Sequence, residues 1–224
     1  MTTKIGIDDA GRGPVIGPMI LAGVLTESEE QEIELKELEV KDSKLLLPAK
    51  RKRISDKVKE KFKYFIVRTE PKEIDECTNL NTLEALKAGM IINKLLQETK
   101  TKEKINVKVD CPSVNIKAWT ETLLGFIEEK SRISVSCEHK ADFNHPIVSA
   151  ASIIAKEERE DEVKRLKLEY RVDFGSGYPA DPSTVEFLEK NVKDPKYKNM
   201  IRFSWSTVKK LLDENTGKQK KLEF

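Results

Sequence analysis

Four aspartates stand at or just after the ends of apolar segments that have the length of β-strands. Asp8 and Asp9 end the first segment, Asp110 ends another, and Asp142 follows a later one. In open α/β sheets, ligands bind outside the carboxyl ends of the strands, so these side chains can converge although they are distant in sequence. Converging carboxylates repel one another unless a cation neutralises them. Oxygen ligands without nearby histidine or cysteine suit Mg²⁺ or Mn²⁺ rather than zinc, and a two-ion site of this kind serves phosphodiester hydrolysis.

Each of these aspartates, taken alone, also fits a structural role as a helix cap, a turn former or a surface charge. Asp142 is well suited to be the N-cap of the helix that follows it. The apolar neighbours of the first and third positions, Ile5, Ile7, Val107 and Val109, argue against acids that are simply solvated. Residue types and spacing leave both interpretations open.

The elements that would position the acids can be predicted from hydrophobic spacing. Alternating or continuous apolar runs predict strands, and apolar residues three or four apart predict helices. The predicted strands are 4–9, 19–25, 64–68, 105–109 and 133–137, and the predicted helices are 29–38, 48–62, 83–96, 119–127, one starting near Pro146, 183–191 and 206–213. This order indicates an α/β fold with a mixed sheet and helices on both of its faces.

The composition restricts the class of protein. The 224 residues are 38% hydrophobic and 36% charged with a net charge of +2, so any nucleic-acid surface must be local. Three dispersed cysteines without a C-x-x-C pair argue against a disulfide framework or a zinc site. No apolar run approaches the ~20 residues of a membrane span. We therefore expect a soluble, cytoplasmic protein without a signal peptide, and a monomer because nothing indicates an obligate interface.

Two other groups of residues invite a functional interpretation. The glycines between Gly11 and Gly17 suggest a nucleotide-binding loop, but the third glycine comes one residue too late for a dinucleotide fingerprint and no G-K-[ST] motif is present. His139 and His145 are the only histidines in the sequence. Hydrogen-bonded structural roles are favoured for them over metal binding or assistance to product release.

Several segments, in the right order, resemble the motifs of type 2 ribonuclease H, most of all its archaeal branch. They are G-I-D-D-A-G-R-G-P-V-I-G-P at 6–18, K-D-S-K at 41–44, V-D-C-P-S at 109–113, E-H-K-A-D at 138–142, V-S-A-A-S-I-I-A-K at 148–156, G-S-G-Y-P-A-D-P at 175–182 and R-F-S-W-S-T at 202–207. The resemblance spans nearly the whole chain. It implies a ribonuclease H-like mixed sheet flanked by helices in a catalytic domain at 1–170 and a C-terminal helical appendage at 171–217 packed on it. The Lys-rich composition of 218–224 predicts a disordered basic tail.

The same resemblance implies an activity. The family's enzymes are endonucleases that hydrolyse the RNA strand of RNA/DNA hybrids and cut on the 5′ side of single ribonucleotides in duplex DNA, leaving 5′-phosphate and 3′-hydroxyl ends. The protein would then remove RNA primers and misincorporated ribonucleotides. Asp8, Asp9, Asp110 and Asp142 would be the catalytic, metal-binding set for two Mg²⁺ or Mn²⁺ ions. The main rival is another nuclease of the same fold, such as an exonuclease or a junction resolvase.

A substrate-binding set is also implied by position. Its members are Gly11, Arg12, Gly13, Lys44, Lys156 and Tyr178. The G-R-G segment would press its backbone against the 2′-hydroxyl region, because only glycine allows so close an approach and the 2′-hydroxyl separates RNA from DNA. The tyrosine would stack on the sugar of the next nucleotide, and the two lysines are candidates for phosphate contacts.

The sequence departs from the family pattern at one position of the acidic set. Asp9 stands where the family normally has glutamate, which is longer by one methylene or about 1.5 Å. Neighbouring residues on a strand face opposite ways, so the second acid depends on its length and on the break at Gly11 to reach the metals. We predict weakened or altered metal use, and an alternative function is a hybrid-binding protein with weak catalysis.

The last residues resemble in part the sliding-clamp-binding peptides that some archaeal relatives carry at this end. Gln219 and Leu222 have the correct spacing, but Phe224 is a single aromatic where a pair should follow. A disordered basic tail is favoured, and sliding-clamp binding is the alternative.

Overall fold

The fold is built on a five-stranded mixed sheet. The computed structural model describes residues 3–40 and 46–219, with side chains through Asp213. The strands are β1 (Lys4–Ala10), β2 (Met19–Thr26), β3 (Lys63–Thr69), β4 (Ile105–Asp110) and β5 (Ile133–Glu138), in the spatial order β3-β2-β1-β4-β5. Strand β1 pairs antiparallel with β2 and parallel with β4, and β4 pairs parallel with β5. This arrangement confirms the α/β fold class that the sequence predicts.

Nine α-helices are formed by the described residues. They are α1 (Glu29–Glu37), α2 (Pro48–Lys61), α3 (Pro71–Glu76), α4 (Leu80–Glu98), α5 (Ile116–Gly125), α6 (Ala141–Asn144), α7 (Pro146–Tyr170), α8 (Pro182–Asn191) and α9 (Ser206–Gln219). None of the helices in these described ranges is long and apolar enough to cross a membrane. The sequence predicts seven of the nine, and it misses α3 and α6, which are too short for a recurrent apolar spacing to appear.

The two central parallel strands owe their place to alternating apolar side chains. In register, Ile5 lies beside Val107 and Ile7 beside Val109, and all four are at most 1% exposed. Such a pattern buries one face of each strand while the residues between them face the other way. Asp8 and Asp110 follow the last of these paired residues, so both lie at the same end of the two strands.

Helices cover both faces of the sheet. A side-chain carbon added at Gly6 would lie 2.5 Å from the carbonyl carbon of Ile147, so α7 contacts one face almost directly. On the opposite face, a carbon added at Gly23 would lie 2.2 Å from Ile91 of α4. The absence of side chains at these two strand positions lets the helices pack closely, and in α7 the fully buried Ser152 is held at the sheet by this approach.

The chain divides into two compact units that are not continuous in sequence. The first comprises 1–10, 20–68 and 79–158, and the second comprises 11–19, 69–78 and 159–224. The first unit has a core of strand and α7 residues such as Val24, Val148 and Ile154. The second has its own core, which includes Ile16, Phe174 and Met200. The linear ranges 1–170 and 171–217 stay a prediction about domains, and most of the tail at 218–224 lies outside the described residues.

The close approach at Gly6 generates a stability prediction. Gly6→Ala should destabilise the protein by roughly 1–3 kcal/mol, because the added carbon meets backbone atoms that cannot rotate away. Thermal and urea unfolding would measure the loss. The matched control is Gly125→Ala, where nothing lies within 4 Å of the added carbon, and it should stabilise α5 by at most about 1 kcal/mol. Equal stability of the two variants would contradict the packing argument.

Candidate active site

Three of the predicted acids lie together. One ligand oxygen from each of Asp8, Asp110 and Asp142 can be chosen so that all lie within 4.8 Å of one another. Metal–oxygen bonds of about 2.0–2.6 Å put two ligands of one ion roughly 3–5 Å apart, so the spacing fits a divalent cation. The prediction that Asp142 caps a helix is wrong, because Lys140 is the N-cap of α6 and Asp142 lies in its first turn.

Local hydrogen bonds orient the carboxylates. The Asp9 amide donates to Asp8 Oδ1 at 2.7 Å, and the Ala141 amide donates to Asp110 Oδ1 at 3.2 Å. The Ser152 side chain of α7 is hydrogen-bonded to the Asp8 carboxylate. Lys140 reaches the start of α6 with a left-handed φ of 58°, and this turn directs the Ala141 amide toward β4. One aspartate is thus held by α7 and another by the first turn of α6.

The electrostatics of the cluster are unfavourable for a bare carboxylate. Asp8 is 6% exposed, and burial raises its pKa well above the ordinary value. Repulsion from the Asp9 and Asp110 carboxylates raises that pKa further, while hydrogen bonds from Ser152 and the Asp9 amide lower it only in part. A divalent cation would reverse this balance, since it favours the charged form of every carboxylate around it. Oxygen donors, spacing and burial therefore fit a hard divalent cation.

Asp9 lies apart from the three-residue cluster. Alternation along β1 turns its side chain to the face opposite Asp8. It lines a small cavity together with Asp8, Asp110, Glu84 and Trp119. Glu84 is only 1% exposed, and sequence reasoning missed it because a glutamate inside a helical pattern looks like an ordinary surface residue. The second acid of the motif and a buried carboxylate from α4 thus border the same cavity.

The two histidines have hydrogen-bond partners, as the structural interpretation expects. His139 Nδ1 lies 3.0 Å from the Cys111 carbonyl oxygen, and His145 Nε2 lies 2.5 Å from Glu138 Oε1. Neither belongs to the group of described residues that can hold a metal ion.

The G-R-G segment belongs to the second unit, where its carbonyl groups face two side chains of the R-F-S-W segment. The Arg202 guanidinium donates to the carbonyls of Gly11 at 2.7 Å, Arg12 at 3.0 Å and Gly17 at 2.9 Å. Trp205 Nε1 donates to the Gly13 carbonyl at 3.2 Å.

This pairing determines the direction of two amides. No peptide bond among the described residues is cis, and in a trans peptide the N–H points opposite to the C=O. The amides of Arg12 and Gly13 therefore point away from Arg202. Two neighbouring amide donors on one side of a glycine-flanked loop can bind an oxygen-rich ligand.

Tyr178 lies next to this loop within the second unit. Its Cε1 is 3.5 Å from the position that a side-chain carbon on Gly13 would take, and the residue is 46% exposed. The amides of Val15 and Ile16 both donate to the Gly177 carbonyl, at 2.8 and 3.2 Å. The tyrosine is therefore carried by a turn that is hydrogen-bonded to the G-R-G loop.

The two predicted phosphate-binding lysines are Lys156 and Lys44. Lys156 is half-buried in α7, one helical turn after Ser152, so it lies on the face that holds Asp8. Lys44 lies at 41–45, outside the described residues.

Comparison with known proteins agrees with these features over most of the chain. Residues 5–208 match the model of the family Ribonuclease HII. The ribonuclease HII of Methanocaldococcus jannaschii is 39% identical over 228 residues, which cover 97% of this chain and 97% of that protein. The ribonuclease H2 structure from Pyrococcus horikoshii OT3 is 35% identical with a TM-score of 0.81, covering 95% of this chain and 98% of that one.

A second solved structure is that of the PCNA:RNase HII complex from Archaeoglobus fulgidus. It aligns with a TM-score of 0.78 and 35% identity, covering 91% of this chain and 95% of that chain. Sequence similarity thus extends over most of the chain, including β1, β4 and α6, which carry the clustered aspartates, and the loop whose carbonyls Arg202 binds. The chain belongs to the ribonuclease HII family of endoribonucleases.

Proposed function

We propose that the protein hydrolyses the RNA strand of RNA/DNA hybrids and cuts on the 5′ side of single ribonucleotides in duplex DNA. The observation that carries this proposal is the convergence of Asp8, Asp110 and Asp142 within 4.8 Å, in a chain that belongs to a family of endoribonucleases. The products would be 5′-phosphate and 3′-hydroxyl ends. Removal of RNA primers and misincorporated ribonucleotides would be the corresponding cellular role.

The aspartates would hold two divalent ions, either Mg²⁺ or Mn²⁺. When bound, such ions activate a water molecule and stabilise the leaving oxygen of the phosphodiester. The protein's part is to present charged oxygens in a fixed arrangement: Ser152 and the Asp9 amide orient Asp8, and the Ala141 amide orients Asp110. Asp9 is the fourth acid of the proposed set, and its shorter side chain weakens its contribution.

Selection of ribonucleotides would be the task of the second unit. The outward amides of Arg12 and Gly13 suit a hydroxyl or a phosphate oxygen, and the glycines leave room for the sugar. Tyr178 offers an exposed ring beside that loop for stacking on the next sugar. Lys156 and Lys44 are proposed phosphate contacts. The proposal that the second unit selects ribonucleotides is supported by the orientation of the G-R-G carbonyls and by the order of the motifs in the chain.

Partner and location remain predictions of the sequence. The PCNA complex of the Archaeoglobus fulgidus relative supports sliding-clamp binding as a proposal for this chain. Of the residues concerned, Lys218 and Gln219 end α9, and 220–224 lie outside the described part. Deletion of these residues should abolish clamp binding if the tail is the binding peptide. A monomeric state and a cytoplasmic location stay predictions.

The proposed activity is tested with a labelled DNA duplex that carries one ribonucleotide. With Mg²⁺ or Mn²⁺ we expect a single cut on the 5′ side of the ribonucleotide with a 3′-hydroxyl end, and no cut with chelator or with an all-DNA duplex. Cleavage of the all-DNA duplex would favour an exonuclease or a resolvase. Metal-independent binding of hybrids without any cut would favour the weakly catalytic binding protein.

Metal binding by the clustered aspartates predicts a stability effect of Asp110→Asn. In chelator the variant should melt at the same or a higher temperature than the wild type, because it removes one charge that repels Asp8 while its amide oxygen can still accept from Ala141. A saturating cation at about a hundred times its Kd adds roughly 2.7 kcal/mol to the wild type, and the variant should lose most of that gain. Differential scanning fluorimetry with EDTA and with increasing Mn²⁺ measures both effects.

The control for this experiment is Asp56→Asn, which removes an exposed aspartate of α2 paired with Lys52. It should keep the full gain from Mn²⁺.

The pH dependence of stability has a definite sign. The pKa of Asp8 is raised in the folded state, so the folded state holds the proton more tightly than the unfolded chain. The Asp8 contribution to stability in chelator should therefore decrease as pH rises from about 4 toward the raised pKa. An undiminished metal gain in Asp110→Asn would contradict the assignment.

The departure at position 9 predicts a gain of function on restoring the family's residue. Asp9→Glu adds about 1.5 Å of reach, so we expect a lower Mn²⁺ or Mg²⁺ concentration for half-maximal cleavage, by about threefold to tenfold. Activity titrated against each metal measures the change. The control is Asp161→Glu, which lengthens in the same way an acid of α7 whose side chain is 47% exposed and paired with Lys164, and it should change nothing. Identical metal titrations for the wild type and Asp9→Glu would refute the reach argument.

A further inference from the structure

The carboxylate of Asp75, in the short helix α3, binds three donors of one dipeptide. Its Oδ2 accepts from the Phe203 amide at 2.7 Å, and its Oδ1 accepts from the Ser204 amide at 2.8 Å and the Ser204 hydroxyl at 2.6 Å. Hydrogen bonds to an ionised acceptor are short and about twice as strong as neutral ones. Asp75 and the dipeptide belong to the same compact unit, the second. A single side chain thus fixes the backbone of 203–204.

The residues on either side of this dipeptide are the ones that hold the G-R-G loop. Arg202 precedes it and Trp205 follows it, and together they donate to the carbonyls of Gly11, Arg12, Gly13 and Gly17. The Arg202 amide also donates to the Val15 carbonyl at 2.9 Å. Displacement of 203–204 would move both donors at once.

The Arg202 side chain has little freedom to change its orientation relative to the loop. It is completely buried, and its guanidinium lies 5.0 Å from the Trp205 ring centre. A planar guanidinium presents its N–H groups in a rigid fork, so it satisfies three carbonyls in only one orientation relative to them. A small shift of its Cα would therefore break the pattern rather than stretch it.

We propose that Asp75 is a positioning residue for ribonucleotide recognition. By fixing 203–204 it keeps Arg202 and Trp205 on the loop carbonyls, and so keeps the Arg12 and Gly13 amides pointing outward. This inference rests on the proposed function, in which those amides contact the 2′-hydroxyl. In this role Asp75 acts only through the backbone of 203–204 and contacts no substrate group.

The role has a consequence that differs between two substrates. An RNA/DNA hybrid carries a 2′-hydroxyl on every nucleotide of one strand, so a loop that is slightly displaced can still meet one. A DNA duplex with a single ribonucleotide offers one 2′-hydroxyl at one position. Loss of loop position should therefore reduce cleavage of the second substrate more than cleavage of the first, since even a displacement of about 1 Å can lower a rate a hundredfold.

The test compares Asp75→Asn with the wild type on both duplexes in Mn²⁺. We expect kcat/KM for the single-ribonucleotide duplex to fall by about tenfold or more, and kcat/KM for the hybrid to fall by less than about threefold. The Mn²⁺ concentration for half-maximal cleavage should not change. Glu76→Gln is the matched control: it removes the same charge from the neighbouring position of α3, where the carboxylate is 67% exposed, and should retain both rates.

Two outcomes would overturn the inference: equal losses on both substrates, or no loss on either. If Asp75→Asn does not fold, as judged by circular dichroism and thermal melting, Ser204→Ala decides by the same criterion. It removes one of the three donors and leaves the carboxylate in place. Cleavage of neither duplex by the wild type would instead refute the proposed function. Cleavage of both with an unchanged ratio in the variants would refute only the positioning role.

Discussion

Repulsion among carboxylates that are held out of water is the constraint on which the arrangement of the first unit depends. Asp8 is buried, and its neighbours Asp9 and Asp110 raise its pKa further. A cluster of this kind persists only because the surrounding framework is rigid: two parallel strands with buried Ile and Val pairs fix the spacing, and α7 approaches the sheet closely at Gly6. The same rigidity holds the carboxylate oxygens at a spacing that a divalent cation can bridge.

The second unit is organised by a different interaction, the capture of carbonyl groups by donors from the far end of the chain. A glycine-rich loop has much conformational freedom, and Gly11 has a left-handed φ of 86°. Arg202 removes that freedom by binding three carbonyls from a completely buried position. The amides of Arg12 and Gly13 are oriented as a result. The conformation of the loop is thus set by a residue nearly two hundred positions away along the chain. Asp75, from a third segment, holds the backbone beside that residue.

The sequence predicts much of the fold and of the candidate site, and the features that it misses have a common cause. The ends of apolar segments placed Asp8, Asp110 and Asp142 together on general grounds, but the short helix α6 leaves no periodic pattern, so the position of Asp142 inside its first turn was missed. Glu84 was hidden in an ordinary helical spacing. The roles of Arg202 and Asp75 depend on pairing between distant segments, which local propensity does not encode. Residues 11–19 and 69–78 join the C-terminal part in one compact unit, and this pairing of distant segments also has no signature in a local pattern.

Asp9 shows the limit of the rule that successive side chains of a strand face opposite ways. A strand should send Asp8 and Asp9 to opposite faces, and only Asp8 belongs to the three-residue cluster. Yet the Asp9 carboxylate is the largest cause, after burial, of the raised pKa of Asp8, so the two charges interact across the end of β1. Its carboxylate also borders the cavity that Glu84 lines from α4. The charge of the second acid therefore acts on the pKa of Asp8 from outside the three-residue cluster.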